Sequence, residues 1–308
     1  MAIKYVVAHR TDPNNVGDIA SNPLQYFLPR DEYEIIDVAA LGDTAYTENV
    51  PLIVGGGGLI GNEFMGDEFL SKLLESSDRM QLERLWANSW EVSNPSHHTL
   101  FRDFNTKYHE LISSTMEKIS PVTAPRYIWG AGHNSPTDTV FEKIKWPKVL
   151  SRYKSIGIRD YDKNSRFTWT PCASCMHPAL SKTYAVKNDV IWFEHKKQLI
   201  KDFGKDPIPR FINSGDNIEQ TIELLGSANT ILTNSYHGAY WGTLLKKKVI
   251  VVGGAWSSKF KFFKHPPIVL NKKEEWQDYR EVAPIYENAL DECRIATQEF
   301  WKELKDNR

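Results

Sequence analysis

Residues 233–238, Thr233-Asn234-Ser235-Tyr236-His237-Gly238, place a hydroxyl, an amide and an imidazole between an apolar strand pattern and a helical one. Backbone N–H groups at a helix start attract anions, so Asn234, Ser235, Tyr236 and Gly238 form a candidate binding site for a phosphate or another anion, and His237 is the first candidate there for a catalytic side chain. The bland alternative is a serine cap beside a packed histidine. Asn15-Val16-Gly17-Asp18 follows the first strand pattern, and there Gly17 permits a sharp turn. Asp18 either caps a helix starting at Ile19 or accepts a proton from an attacking hydroxyl, and the two roles are compatible. Glu63 is the second candidate for that base, since it also follows a strand.

Gly56, Gly58 and Gly61 fit the glycine spacing of a dinucleotide fingerprint. That fingerprint belongs after the first strand of its unit and opens a helix, whereas this one follows the third strand and runs into Asn62-Glu63-Phe64. Residues 55–59 read instead as a loop whose Gly57 and Gly58 let a substrate approach the main chain, or as a tight turn beside another backbone. Lys246-Lys247-Lys248 reads as a helix end. Residues 257–267 mix lysines with aromatics, so Lys259 either grips a diphosphate, contacts an anionic lipid surface or is solvated. Cys172 and Cys175 are spaced as CxxC, but only Cys293 remains and Pro171 and Pro178 bracket the pair. A rigid loop fits better than a zinc or thioredoxin-like site.

The elements that must position these groups follow from short apolar runs at residues 3–8, 34–38, 52–54, 127–129 and 155–158, each closed by glycine or polar residues. A second series follows at 189–193, 210–212, 230–233 and 249–252, with helices at 194–203, 218–225 and about 238–245. Strands alternating with helices imply an α/β protein whose parallel sheets are covered on both faces. Residues 68–85 read as a helix and 86–98, with Trp86, Trp90, His97 and His98, as an insertion or lid. The expected division is one Rossmann-like α/β domain at 1–182, a second at 183–283 and a helix at 284–308 packing back across both. That helix would bury Ile285, Leu290, Ile295 and Phe300. Ligands in such sheets bind at the carboxyl ends of the strands, in a cleft between the units.

The chain has 308 residues, 41% apolar and 25% charged, with 38 basic against 39 acidic side chains and a pI near 6.8. A net charge of −1 removes the global drive for nucleic-acid binding. The N-terminus lacks the pattern of a signal peptide, no run approaches about 18 apolar residues, and three cysteines suit a reducing compartment. The expected location is the cytoplasm, at the inner face of the membrane if the basic segment contacts lipid.

Taken together, Asn15-Val16-Gly17-Asp18, the segment 55–59, Trp129-Gly130-Ala131-Gly132, Gly157-Ile158-Arg159-Asp160 and 233–238 resemble the polysaccharide pyruvyl transferase family over about residues 14–254. The resemblance implies two Rossmann-like units of the GT-B type, as in related sugar transferases such as galactofuranosyl transferases. It implies a transferase of bacterial surface polysaccharide synthesis acting on a saccharide acceptor, lipid-linked in some systems, with no separate cofactor and no metal. Asn15 and Arg159 then join Gly57 and Gly58 on the acceptor or loop side. Many members carry Ser-x-Arg-x-His, whereas this chain has Asn234-Ser235-Tyr236-His237, without a guanidinium. A nucleotide-sugar such as UDP-galactofuranose is therefore ranked ahead of phosphoenolpyruvate as donor, with Tyr236 or Trp256 against the base. A non-catalytic glycan-binding module ranks third.

Overall fold

The computed structural model describes residues 3–37, 50–60, 124–133, 153–163, 165, 167–196, 208–253, 258–272 and 275–307. The expected helix at 68–85, the expected insertion at 86–98, Glu63 and Trp256 lie outside the described residues.

Strands β1 (Tyr5–His9), β2 (Tyr33–Asp37), β3 (Leu52–Ile60), β4 (Arg126–His133), β5 (Ser155–Ile158) and β6 (Thr168–Trp169) form one parallel sheet in the order β2-β1-β3-β4-β5-β6. A second parallel sheet, ordered β11-β10-β9-β7-β8, contains β7 (Asn188–His195), β8 (Arg210–Asn213), β9 (Ala228–Thr233), β10 (Lys248–Val252) and β11 (Ile268–Leu270). All five residues of β1 are buried, as expected of a central strand covered on both faces. Its register sets Val6, Val7 and Ala8 against Leu52, Ile53 and Val54 of β3.

Both sheets follow one rule of connection. In each, the chain lays its second strand on one side of the first and its third strand on the other. The direction of winding therefore reverses between β1 and β3, and again between β7 and β9. At such a reversal the loops leaving neighbouring strands diverge, which opens a crevice at their carboxyl ends.

Five α-helices are described: α1 (Val16–Ala20), α2 (Ile218–Gly226), α3 (Tyr236–Leu244), α4 (Trp276–Arg280) and α5 (Ala289–Asp306). Asn217 caps α2 by accepting from Gln220 N at 2.9 Å, and Ile222 and Leu225 face inward from it. All nine residues of α3 are buried. That helix lies in a cluster joining Val16 and Ala20 of α1, Cys172, Cys175 and Leu180 of the connecting loop, and Ile191 and Ile231 of the second sheet. The first turns of α5 enter the same cluster through Ala289 and Cys293. Its last turns place Phe300, Trp301 and Leu304 against Tyr5, Val7, Tyr127 and Trp129 of the first sheet. Each large side chain buried there contributes roughly 1.5–3 kcal/mol.

Several expectations need correction. Residues 55–58 are not a loop: β3 continues to Ile60, with Gly56 and Gly57 at φ +82° and +96° and an irregular register against β4. Glycine in the left-handed region bulges a strand without ending it. Glu194 and His195 belong to β7 rather than to a following helix. Asn15, not Asp18, caps α1, its Oδ1 accepting from Gly17 N. The last helix begins at Ala289, and Ile285 and Ile295 are exposed. Its buried face is Ala289, Cys293, Thr297, Phe300, Trp301 and Leu304.

Candidate active site

The two crevices face each other and enclose one cleft of about 610 Å³. From the first sheet it takes Arg10, Thr11 and Asp12 after β1, Asn15 and Asp18 of α1, Asp37 at the end of β2, Gly57 and Gly58 of β3, and Arg159 after β5. The second contributes His195 and Lys196 after β7, Asn213 ending β8, Ser235, Tyr236 and His237 where β9 turns into α3, and Lys259.

Because Asn15 caps the helix, the Asp18 carboxylate is left for the cleft. Asn15 Nδ2 donates to Asp18 Oδ2 at 2.8 Å. Burial nevertheless pushes the Asp18 pKa up from 3.8 to about 6, against the lowering influence of Arg10 and Lys196. A carboxylate with that pKa is ionised at neutral pH and basic enough to take a proton in a transition state. Beside it, Thr11 donates its backbone N–H and its hydroxyl to Asp37 Oδ2 at 2.9 and 2.6 Å. Lys196 crosses from the second half to Asp12 Oδ2 at 2.5 Å and Asn14 O at 3.1 Å.

Two cations line the same cleft. The Arg159 guanidinium lies 3.9 Å from the centroid of the Tyr236 ring. Its side chain passes where a Cβ on Gly132 would sit only 2.0 Å from Arg159 Nε, so a glycine is required at 132. Lys259 is 7% exposed, and burial together with the neighbouring Arg159 charge pulls its pKa from 10.5 down to about 8. Arg159 Nε also lies 3.5 Å from Asp160 Oδ1 in the same buried wall, so the two cations stand beside a carboxylate. Arg159 and Lys259 line the same cleft as Asn15, Gly57 and Gly58.

The segment 234–238 divides between cleft and scaffold. Ser235, Tyr236 and His237 line the cleft, whereas Asn234 and Gly238 do not. Asn234 Oδ1 accepts from His195 N at 2.7 Å, tying β9 to β7. Gly238 N is directed to Ser235 Oγ at 3.4 Å, and a Cβ at Gly238 would meet Thr233 Oγ1 at 2.5 Å. Ser235 N donates to Thr233 Oγ1 at 2.9 Å. The helix start is thus capped by its own chain, which engages the backbone N–H groups of Ser235 and Gly238. His237 is 6% exposed, and burial with the Arg159 and Lys259 charges pushes its pKa down to about 3. It is neutral and contributes no positive charge.

The aromatic residues near the site are core. Tyr240 OH donates to Cys172 O, and Trp241 Nε1 to Ser174 Oγ, both at 2.9 Å. Tyr236 stacks on Phe263 at 4.9 Å between centroids as well as meeting Arg159, so the expected contact with a nucleobase is not available to its ring. Of the basic segment 257–267, Lys259 enters the cleft, while Lys264 pairs with Glu292 at 2.8 Å and covers Trp169. Cys172, Cys175 and Cys293 are buried free thiols, and burial pushes Cys175 up to about 12. No group of three or more potential metal ligands occurs among the described residues, and no described helix is long and apolar enough to cross a membrane.

Arg10, Asp12, Asp37, His195, Lys196 and Asn213 were missed by the sequence reading. Each lies at or just beyond the carboxyl end of a parallel strand, which is the signal that could have found them.

Comparison with known protein families and with curated proteins finds no match, so the resemblance to pyruvyl transferases rests on the short motifs alone. Among solved structures, a functionally uncharacterised protein from Klebsiella pneumoniae is 16% identical, with 87% of this chain and 93% of that chain covered and a TM-score of 0.39. An α-glucosyltransferase in complex with UDP-glucose and DNA containing an abasic site is 9% identical, with 99% and 98% covered and a TM-score of 0.37.

Proposed function

We propose that the protein is a glycosyltransferase that moves a sugar from a nucleoside-diphosphate donor, UDP-linked by preference, to a saccharide hydroxyl. The observation that carries this reading is one cleft lined both by the carboxylate of Asp18 and by the buried cations Arg159 and Lys259. In this reaction the bond between the anomeric carbon and the diphosphate oxygen breaks, and a bond to the acceptor oxygen forms. Arg159 and Lys259 neutralise the charge that develops on the departing diphosphate, and Asp18 takes the acceptor proton. A cleft of about 610 Å³ accommodates a nucleotide-sugar.

A second reading has one observation in its favour. The guanidinium missing from residues 234–237 is supplied in space by Arg159, beside Tyr236 and therefore next to His237. A small carboxylated phosphate would find there the bidentate partner that the motif lacks, which favours pyruvyl transfer from phosphoenolpyruvate.

Thermal-shift measurements with UDP, GDP, CMP, NAD and phosphoenolpyruvate test the donor class. A ligand present at 100 times its Kd stabilises the folded state by about 2.7 kcal/mol. Stabilisation by UDP, with transfer from a UDP-sugar to a saccharide, supports the first reading. A response to phosphoenolpyruvate alone replaces it with the second.

A further inference from the structure

His237 was expected to hold the donor, yet its contacts run in another direction. Its Nε2 lies 3.4 Å from Ser21 Oγ and 3.6 Å from Cys172 Sγ. Ser21 Oγ has one proton, donated to Gly17 O at 2.7 Å. The hydroxyl oxygen is then left to accept, from His237 Nε2 or from the Cys172 thiol 3.7 Å away, and the shorter contact assigns the proton of the neutral imidazole to Nε2. The ring also presses on α1 so closely that a Cβ at Gly17 would stand 2.1 Å from His237 Nδ1. Ser21 is held from its far side too, because a Cβ at Gly56 would lie 2.1 Å from Ser21 O.

We infer that His237 is a positioning residue rather than a donor ligand: it seats α1 of the first half on α3 of the second and thereby sets the place of Asp18 in the cleft. Three elements share this line of contact. His237 opens α3, Gly17 and Ser21 belong to α1 and its C-cap, and Gly56 precedes the glycines that face the cleft. Asp18 follows Gly17 directly, so a shift of α1 against the imidazole moves the carboxylate with it. The role assigned to Asp18 rests on the proposed transfer reaction, whereas the joint itself does not.

The charged groups facing Asp18 are Arg10 and Asp12 from the loop after β1 and Lys196 from the loop after β7, with Asn15 bonded to its carboxyl. His9 lies beneath, neutral, its pKa lowered by burial to about 4. None of these is altered by a substitution at 237, so the titration of Asp18 reports the seating of α1.

The test compares His237→Gln, which keeps an N–H for Ser21, with His237→Leu, which keeps bulk without a donor. The Asp18 carboxyl is followed by ¹³C NMR, assigned with Asp18→Asn, and inorganic pyrophosphate binding by calorimetry. In the wild type and in His237→Gln the carboxyl titrates near 6; in His237→Leu it moves toward the ordinary 3.8 as water reaches it, while pyrophosphate affinity is retained. An unchanged titration in His237→Leu overturns the proposal. So does a loss of pyrophosphate binding with the titration intact, which would make His237 a donor ligand after all. Absence of pyrophosphate binding in the wild type would instead defeat the donor reading and leave the titration to decide the joint. Should His237→Leu fail to fold, Gly17→Ala is compared in wild-type and His237→Ala backgrounds. The joint predicts a marked fall in Tm in the first and little in the second; equal falls contradict it.

Discussion

Replacing Lys259 with Met is expected to make the free protein more stable while weakening its hold on the donor. Methionine nearly matches the buried stem of lysine in volume and removes the charge. A folded-state pKa lowered from 10.5 to about 8 means that burial and Arg159 disfavour the ammonium form. At ~1.4 kcal/mol per pKa unit the penalty is about 3 kcal/mol. Its sign follows from linkage: the unfolded chain binds the proton more tightly, so the penalty is full below pH 8 and fades as pH rises to 10.5. Lys259→Met should therefore raise Tm at pH 7 by several degrees, at roughly 2–4 °C per kcal/mol for chains of 150–250 residues. The gain should shrink near pH 10. In the same preparation the variant loses a charge-assisted hydrogen bond to phosphate, about 1.5–3 kcal/mol, or roughly 10–100-fold in Kd for UDP or pyrophosphate. Calorimetric scans at the two pH values and isothermal titration at pH 7 measure both effects. A lower Tm at pH 7 together with unchanged pyrophosphate affinity would refute the reasoning, since Lys259 would then be a structural lysine facing away from the ligand.

Asp18→Asn should lower turnover about 10²–10⁴-fold with UDP affinity retained, as for loss of a general base. In the wild type, kcat/KM should rise with an acid limb near pH 6, where Asp18 ionises, and fall near pH 8, where Lys259 loses its proton; a flat profile between pH 5 and 9 would argue against both assignments. Gly57→Ala should cost about 1–2 kcal/mol of stability, because Gly57 sits at φ +96° where an L side chain is strained, and denaturant midpoints would show it. Arg210→Ala removes the partner of Glu194, which is 1% exposed and held through both carboxylate oxygens at 2.8 Å. The expected loss is about 3 kcal/mol, at the low end for a broken buried pair because 41% of the Arg210 side chain is exposed. An unchanged urea midpoint would mean that water already serves Glu194.

The strands were legible where Val and Ile run together, as at 5–8 and 249–252, because buried parallel strands need continuous apolar sequence. They were illegible at 55–60 and 130–133, where glycines that signal a turn instead occupy bulged strand positions beside close neighbours such as Ser21 O and Arg159. The face of α5 was misread because the partners available at its two ends select Cys293 and Thr297 for burial and leave Ile295 to solvent, a tertiary choice without a local pattern. At the site, Asp18, Tyr236, His237 and Lys259 could be found from their places after strands or in a basic segment. The adjacency of Arg159 and Lys259, 100 positions apart, has no signature in one sequence. Likewise the neutrality of His237 comes from burial and two nearby cations, which no spacing reveals.

Isothermal titration of UDP and of phosphoenolpyruvate into one wild-type preparation tests the central claim most directly. Binding of UDP more tightly than phosphoenolpyruvate, with loss of the UDP signal in Arg159→Ala, is the predicted result. Micromolar binding of phosphoenolpyruvate with no response to any nucleotide would contradict glycosyl transfer and leave pyruvyl transfer as the reaction of this cleft.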